Sequence, residues 1–202
     1  GLPYWAFWAI FAQNAPPRRS AIRQHRASPG GTLTKQHPLM KSDKVLLLGD
    51  PRLHEVSQPV EKSELPELLP VIQDLHDILF EFKARFAHYG AFRAIAAPQI
   101  GVMKRLLYMH IDRPVVFINP AFTYLSDETM ELWDDCMCFP NLLVRLQRHK
   151  QCTISFLDTD WQVQEMHLEG SLSELLQHEH DHLDGILATQ RAVDGQSFRW
   201  RR

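Results

Sequence analysis

From Leu65 to Gly90 apolar residues fall at Leu68, Leu69, Ile72, Leu75, Leu79 and Phe82. Steps of three and four predict a long amphipathic helix that ends near Gly90. Pro70 lies in its first turns, where proline costs least. Ahead of it, LLLGDPRLHEVSQPV (Leu46 to Val60) reads as a short apolar segment, a turn at Asp50-Pro51 and an extended stretch. Beyond the helix the period changes. RLLYMHI, PVVFINP, VRLQRHKQCTISFLD and WQVQEMHLEG read as strands, with partial alternation at Cys152, Ile154 and Phe156. Ser171 to about Leu187 reads as a last helix, weakened at its end by Gly185. Helix, several strands, helix predicts one α+β domain with mainly antiparallel sheets packed around a C-terminal helix.

The opening of the chain has a different pattern. Residues 1–42 hold six basic residues and no Asp or Glu, and LPYWAFWAIFA is an apolar run too short to span a bilayer. A Pro-, Ser- and Arg-bearing segment without a steady period follows. Two expectations stand for residues 1–39: an unstructured extension ahead of a start at Met40, or an acid-poor transit peptide. The first places the protein in a bacterial cytoplasm, the second in a mitochondrion or plastid. Residues 40–202 form the expected catalytic domain. No other segment suits a membrane span, and a net charge of −2 gives no reason to expect nucleic acid as a partner. Three cysteines are too few for a disulfide framework and point to a reducing compartment.

The last helix carries the chemistry. His178-Glu179-His180-Asp181-His182 fits H-E-x-x-H, which puts two imidazoles on one helix face with a glutamate between them. Two ligands leave the metal site incomplete. The position six residues after His182 is Ala188, no His follows His182, and no Glu follows Glu179. Asp184 is too close on the same helix, and Asp194 is possible but unsupported. Cys136, in ELWDDCMCFP, is the best upstream candidate, since one Cys and two His leave a fourth position open. In an extended segment Cys138 would face the other way, so one of the two thiols is the expected ligand. Cys152 reads as a small buried hydrophobe. Asp181 reads either as an exposed acid or as a partner that orients a ligand. In RAIAAPQIG, small residues allow close backbone approach and Gln99 offers an amide donor.

Taken in order, these three segments resemble the peptide deformylase family, whose motifs are G-x-G-x-A-A-x-Q, E-G-C-x-S and H-E-x-x-H. Here they read Phe92 to Gln99, Asp134-Asp135-Cys136-Met137-Cys138 and His178 to His182. The resemblance runs from about Met40 to Asp194. It implies Cys136, His178 and His182 as metal ligands, Glu179 as general acid/base, and Gln99 with the Met137 backbone N–H as oxyanion donors. It implies one divalent ion, Fe(II) by nature and replaceable by Zn, Ni or Co. The implied reaction removes the formyl group from the N-terminal Met of new polypeptides, with nascent chains at the ribosome as partners. Phe92 and Ala94 replace the family's two glycines, Asp134 and Asp135 its Glu and Gly, and Cys138 its Ser. These departures bear on substrate fit: Phe92 and Ala94 should narrow the groove where the substrate backbone lies, and Phe92, Ala94, Ile95 and Asp135 are the expected substrate-binding residues. A metallo-endopeptidase and a metal-binding homologue with weakened turnover are the other classes the residues allow.

Overall fold

The computed structural model describes residues 40–202, so both expectations for residues 1–39 lie outside the described residues. The predicted long helix forms as α1 (Leu65–Arg85). It buries Leu68, Ile72, Leu75, Ile78, Leu79 and Phe82, a stripe at helical spacing. It stops at Phe86, and a 3-10 turn at Ala87–Tyr89 leads to Gly90 at φ +61°. The helix packs on the start of a five-stranded antiparallel sheet in the order β1-β2-β3-β6-β7. Its strands are β1 (Ala94–Ala96), β2 (Leu106–His110), β3 (Pro114–Leu125), β6 (Gln151–Leu157) and β7 (Val163–Glu169). A second antiparallel sheet, β4-β5-β8, consists of Thr129–Asp134, Leu142–His149 and Phe198–Trp200.

The stretch VRLQRHKQCTISFLD turns at Lys150 and feeds both sheets, β5 into the small one and β6 into the large one. Helix α2 (Ser171–Leu183) lies on the large sheet. Its Leu175, Leu176 and Leu183 meet Ala94, Ala96, Leu107, Met109, Phe117, Cys152, Ile154, Phe156 and Leu168. The α+β class and the antiparallel sheets around this helix agree with the sequence reading. Cys152 packs in this core.

Helix α2 ends at Leu183 and not near Leu187. The N–H of Gly185 donates to His182 and that of Ile186 to Asp181, which closes the helix with a reverse-turned cap. Gly185 sits at φ +69°, and a Cβ there would lie 2.5 Å from the His54 carbonyl oxygen. Both the cap and the close approach therefore need glycine. That contact, with Ser57 N–H donating to the Leu183 carbonyl, docks the helix end on the segment after Asp50. Asp50 caps the 3-10 turn Pro51–His54 that begins this segment. Among the described residues, no helix is long and apolar enough to cross a membrane.

Candidate metal centre and cavity

Helix α2 is buried on nearly every face, including Ser173, Glu174, Gln177, His178, Glu179, Asp181 and His182. So many buried polar groups demand partners. Gln177 exchanges hydrogen bonds with the backbone of His149, at 3.0 and 2.8 Å, and Ser173 Oγ donates to the same carbonyl. These bonds fix the helix against the β5–β6 hairpin. His178 and His182 then stand on one side, with ring centroids 5.0 Å apart.

His178 Nδ1 lies 2.8 Å from Asp134 Oδ2, at the end of β4. That contact occupies Nδ1 and leaves Nε2 as the ring's ligand atom. Asp134 is in turn held by Arg148, which also reaches Asp181, and Arg191 closes on Asp181 from outside. Asp181 thus belongs to the readings allowed for it as the partner that orients, through Arg148 and Asp134. Burial alone would raise the Asp134 carboxyl, but His178 and Arg148 outweigh it and hold the pKa below the usual carboxylate range. Burial opposes charge on His178, yet the Asp134 carboxylate prevails and pushes the imidazole up to about 10. The same negative charge favours any cation at Nε2, proton or metal ion. Burial and the His178 charge push His182 the other way, well below its ordinary value.

Arg148 was not identified from sequence, although a signal existed. Val144, Leu146 and Arg148 share one parity on β5, and all three are buried, Arg148 to 4% exposure. A charge in phase with core residues needs buried counter-charges. Arg148→Met would leave Asp134 with His178 alone and Asp181 with Arg191 alone, and losing the buried cation between them should cost about 3–5 kcal/mol. Denaturant unfolding of that variant gives the number, and a loss under 1 kcal/mol would show the pair to be dispensable.

The thiols depart from expectation. After Asp134 the chain leaves the strand and turns at Met137 and Cys138. Cys136 and Cys138 therefore do not face opposite sides. Both approach the same amide: Gln99 Nε2 is 3.6 Å from each Sγ. The donor atoms of Cys136, Cys138 and His182 lie within 4.8 Å of one another, and Cys136 Sγ is 3.4 Å from His182 Nε2. Burial and the neighbouring sulfur push the Cys136 thiol well up, while the Cys136 hydrogen bond lowers Cys138. Gln99 Oε1 accepts from the Ala96 N–H at 2.8 Å, which fixes the orientation of its amide.

Two buried thiols with imidazoles suit a borderline or soft divalent ion. One orphaned atom favours the same reading: Glu179 Oε2 is buried without a protein hydrogen-bond partner. Glu179 is raised to about 7 by burial. Glu174, one turn before His178, is raised to about 8 by burial and by the charge of Asp134.

A cavity of about 380 Å³ opens onto this cluster. Glu179, His178, Gln99, Cys136, Met137, Asp135, Phe92 and Ala94 all line it. Ile95 does not. Its side chain is buried. Phe92 lines the wall but is only 7% exposed, because its ring packs edge-on against Phe82 and Phe86, each 5.2 Å away. Its φ of +65° is a conformation glycine adopts freely. The expected narrowing of the groove is therefore mostly aromatic packing against α1. Phe92→Ala should cost about 3–5 kcal/mol. Phe92→Gly loses the same ring but relieves the left-handed backbone by about 1 kcal/mol, so it should melt above the alanine variant. The reverse order of melting temperatures would contradict this account.

Comparisons with known proteins converge on one family. The family model described as polypeptide deformylase matches residues 42–197. The peptide deformylase of Brachyspira hyodysenteriae is 31% identical over 167 residues, covering 78% of this chain and 84% of the relative. Peptide deformylase 1 of Bordetella pertussis is 34% identical, covering 76% and 89%. The crystal structure of the Thermotoga maritima peptide deformylase superposes with a TM-score of 0.66 at 30% identity, over 74% of this chain and 97% of that one. A family match over nearly all the described residues, joined to relatives of this identity and to a shared fold, establishes that the chain belongs to the peptide deformylase family.

Proposed function

We propose that the residues at this cavity remove the formyl group from the N-terminal methionine of newly made polypeptides, with Cys136, His178 and His182 as the metal ligands. The observation that carries the reading is the position of Glu179. It is a buried carboxyl next in sequence to His178, it lines the cavity, and one oxygen has no protein partner. When bound, a divalent ion supplies Lewis-acid chemistry at the floor of the cavity. Iron(II) is the ion the resemblance implies.

Glu179 takes a proton from the attacking water and returns it to the amine nitrogen as the C–N bond breaks. The products are formate and a free N-terminus. The Gln99 amide and the Met137 N–H donate to the formyl oxygen as its negative charge develops. The Ala96–Gln99 hydrogen bond sets the amide's direction before substrate arrives. Asp134 holds the His178 ring, and Arg148 holds Asp134.

Formate release from formyl-Met-Ala-Ser by the metal-loaded full chain tests the proposal. The expected result is stoichiometric formate and free Met-Ala-Ser. Cleavage at an internal peptide bond, or binding without formate, would overturn it in favour of an endopeptidase or of a peptide-binding homologue.

A further inference from the structure

The cavity at the metal centre continues outward. A second cavity of about 640 Å³ shares Tyr89, Leu143, Arg199 and Arg201 with the first and adds Trp200 and Arg202. Strand β8 builds this junction. Its Arg199 and the following Arg201 are two residues apart in an extended segment, which puts them on one side, and Arg199 pairs in register with Leu143 on β5.

The ion pairing here is uneven. Arg201 is held by Asp135, and it also donates to the Pro140 carbonyl. Its guanidinium lies 4.6 Å from the Tyr89 ring centre, so it braces the wall. Arg93 donates to Ser171 and pairs with Glu174 at 3.5 Å. Asp134 is satisfied by His178 and Arg148. Asp134, Asp135 and Glu174 therefore each have a cationic partner. Arg199 has no carboxylate partner among the described residues. Its guanidinium stacks over Trp133 at 4.0 Å. Stacking fixes the guanidinium plane and leaves its N–H edge free for a planar anion.

We infer that Arg199, stacked on Trp133 where the two cavities join, is a specificity residue that binds the free terminal carboxylate of a short formylated peptide whose formyl end lies at Glu179. The inference rests on the deformylase reading of the inner cavity. A guanidinium already oriented by an aromatic ring binds carboxylate in a bidentate manner at little ordering cost. Chains still attached to a ribosome have no such carboxylate. Released short formyl peptides would gain this contact over and above those that newly made chains make at the inner cavity.

The test uses the zinc-loaded full chain carrying Glu179→Gln, so that ligands are not consumed, and titration calorimetry at low salt. Three ligands are compared: formyl-Met-Ala with a free carboxylate, its C-terminal amide, and formyl-Met-Asp amide. The free acid should bind about tenfold more tightly than the amide, and adding Arg199→Gln should reduce the difference to less than twofold. Arg199→Lys should restore only part of it, since a point charge cannot pair in two places. Equal affinity for acid and amide overturns the inference, as does a preference that survives Arg199→Gln or a failure of all three ligands to bind. Binding of formyl-Met-Asp amide as tight as the free acid overturns the choice of a terminal carboxylate over an acidic side chain. Formate release by the parent protein is measured separately. Acid preference without formate would leave this inference standing and end the deformylase reading, whereas formate without acid preference would do the opposite.

Discussion

Glu179→Gln is expected to keep the fold and the bound metal while formate release falls by about two to four orders of magnitude. Glutamine has the shape of glutamate, so the packing of α2 on the large sheet is undisturbed. The ring of His178 stays pinned to Asp134, and the three donors of Cys136, Cys138 and His182 are untouched. What disappears is the group that accepts a proton from water and delivers it to the departing amine. Because Glu179 Oε2 has no protein partner, the substitution breaks no structural hydrogen bond at that atom. Stability should therefore change little while kcat collapses. Steady-state kinetics, metal analysis and a thermal melt on one preparation separate these effects. A variant that releases formate at close to the parental rate would remove Glu179 from the mechanism. One that loses its metal would make Glu179 a structural residue instead.

The elements legible in the sequence are those whose signal is local. Helix α1 announces itself by six buried positions at helical spacing, and β2, β6 and β7 by apolar or alternating runs of five to seven residues. Three strands carry no such signal. β1 and β8 are three residues each, and β4 is exposed or half-buried until Asp134. All three border the cavity, through Ala94, Trp133 with Asp134, and Arg199, so the sequence is least legible where substrate would bind. The paired histidines are legible because residues i and i+4 on a helix must converge. The rest of the centre depends on contacts distant in sequence. Asp134 meets His178 across 44 residues, and Arg148 meets Asp181 across 33. The turn at Met137–Cys138 decides where the second thiol points, and a strand assumed through that segment gives the wrong side.

Phe92 shows how the same residue can be read for the wrong reason. Its replacement of a family glycine suggests an obstruction, since a side chain occupies space where none was needed. In the structure that space lies beside α1, where Phe82 and Phe86 receive the ring. The left-handed φ remains as the cost of putting phenylalanine at a glycine-type position. Aromatic burial offsets it.

Removing Cys136 or His182 should strip most of the metal, because these two atoms belong to both ligand sets that the centre can form. One set is Cys136, His178 and His182, with His178 oriented by Asp134. The other is Cys136, Cys138 and His182, whose donors already lie within 4.8 Å of one another. His178→Ala and Cys138→Ser tell the sets apart. A third protein ligand from His178 leaves a coordination position open, as a catalytic centre requires. A second thiolate from Cys138 would compete for that position and hold the ion more tightly. With Cys136, His178 and His182 as the ligands, Cys138→Ser should leave metal release and kcat near parental values, and His178→Ala should abolish turnover; if Cys138 binds instead, Cys138→Ser should release metal to a chelator about ten- to a hundredfold faster. Cobalt substitution gives a readout independent of activity, since each thiolate adds its own near-ultraviolet charge-transfer absorption. That band should weaken by about half from parent to Cys138→Ser if both sulfurs bind. An unchanged band, with unchanged metal release, would make Cys138 a buried neighbour of the centre. Full metal occupancy in Cys136→Ala would sink both ligand sets at once.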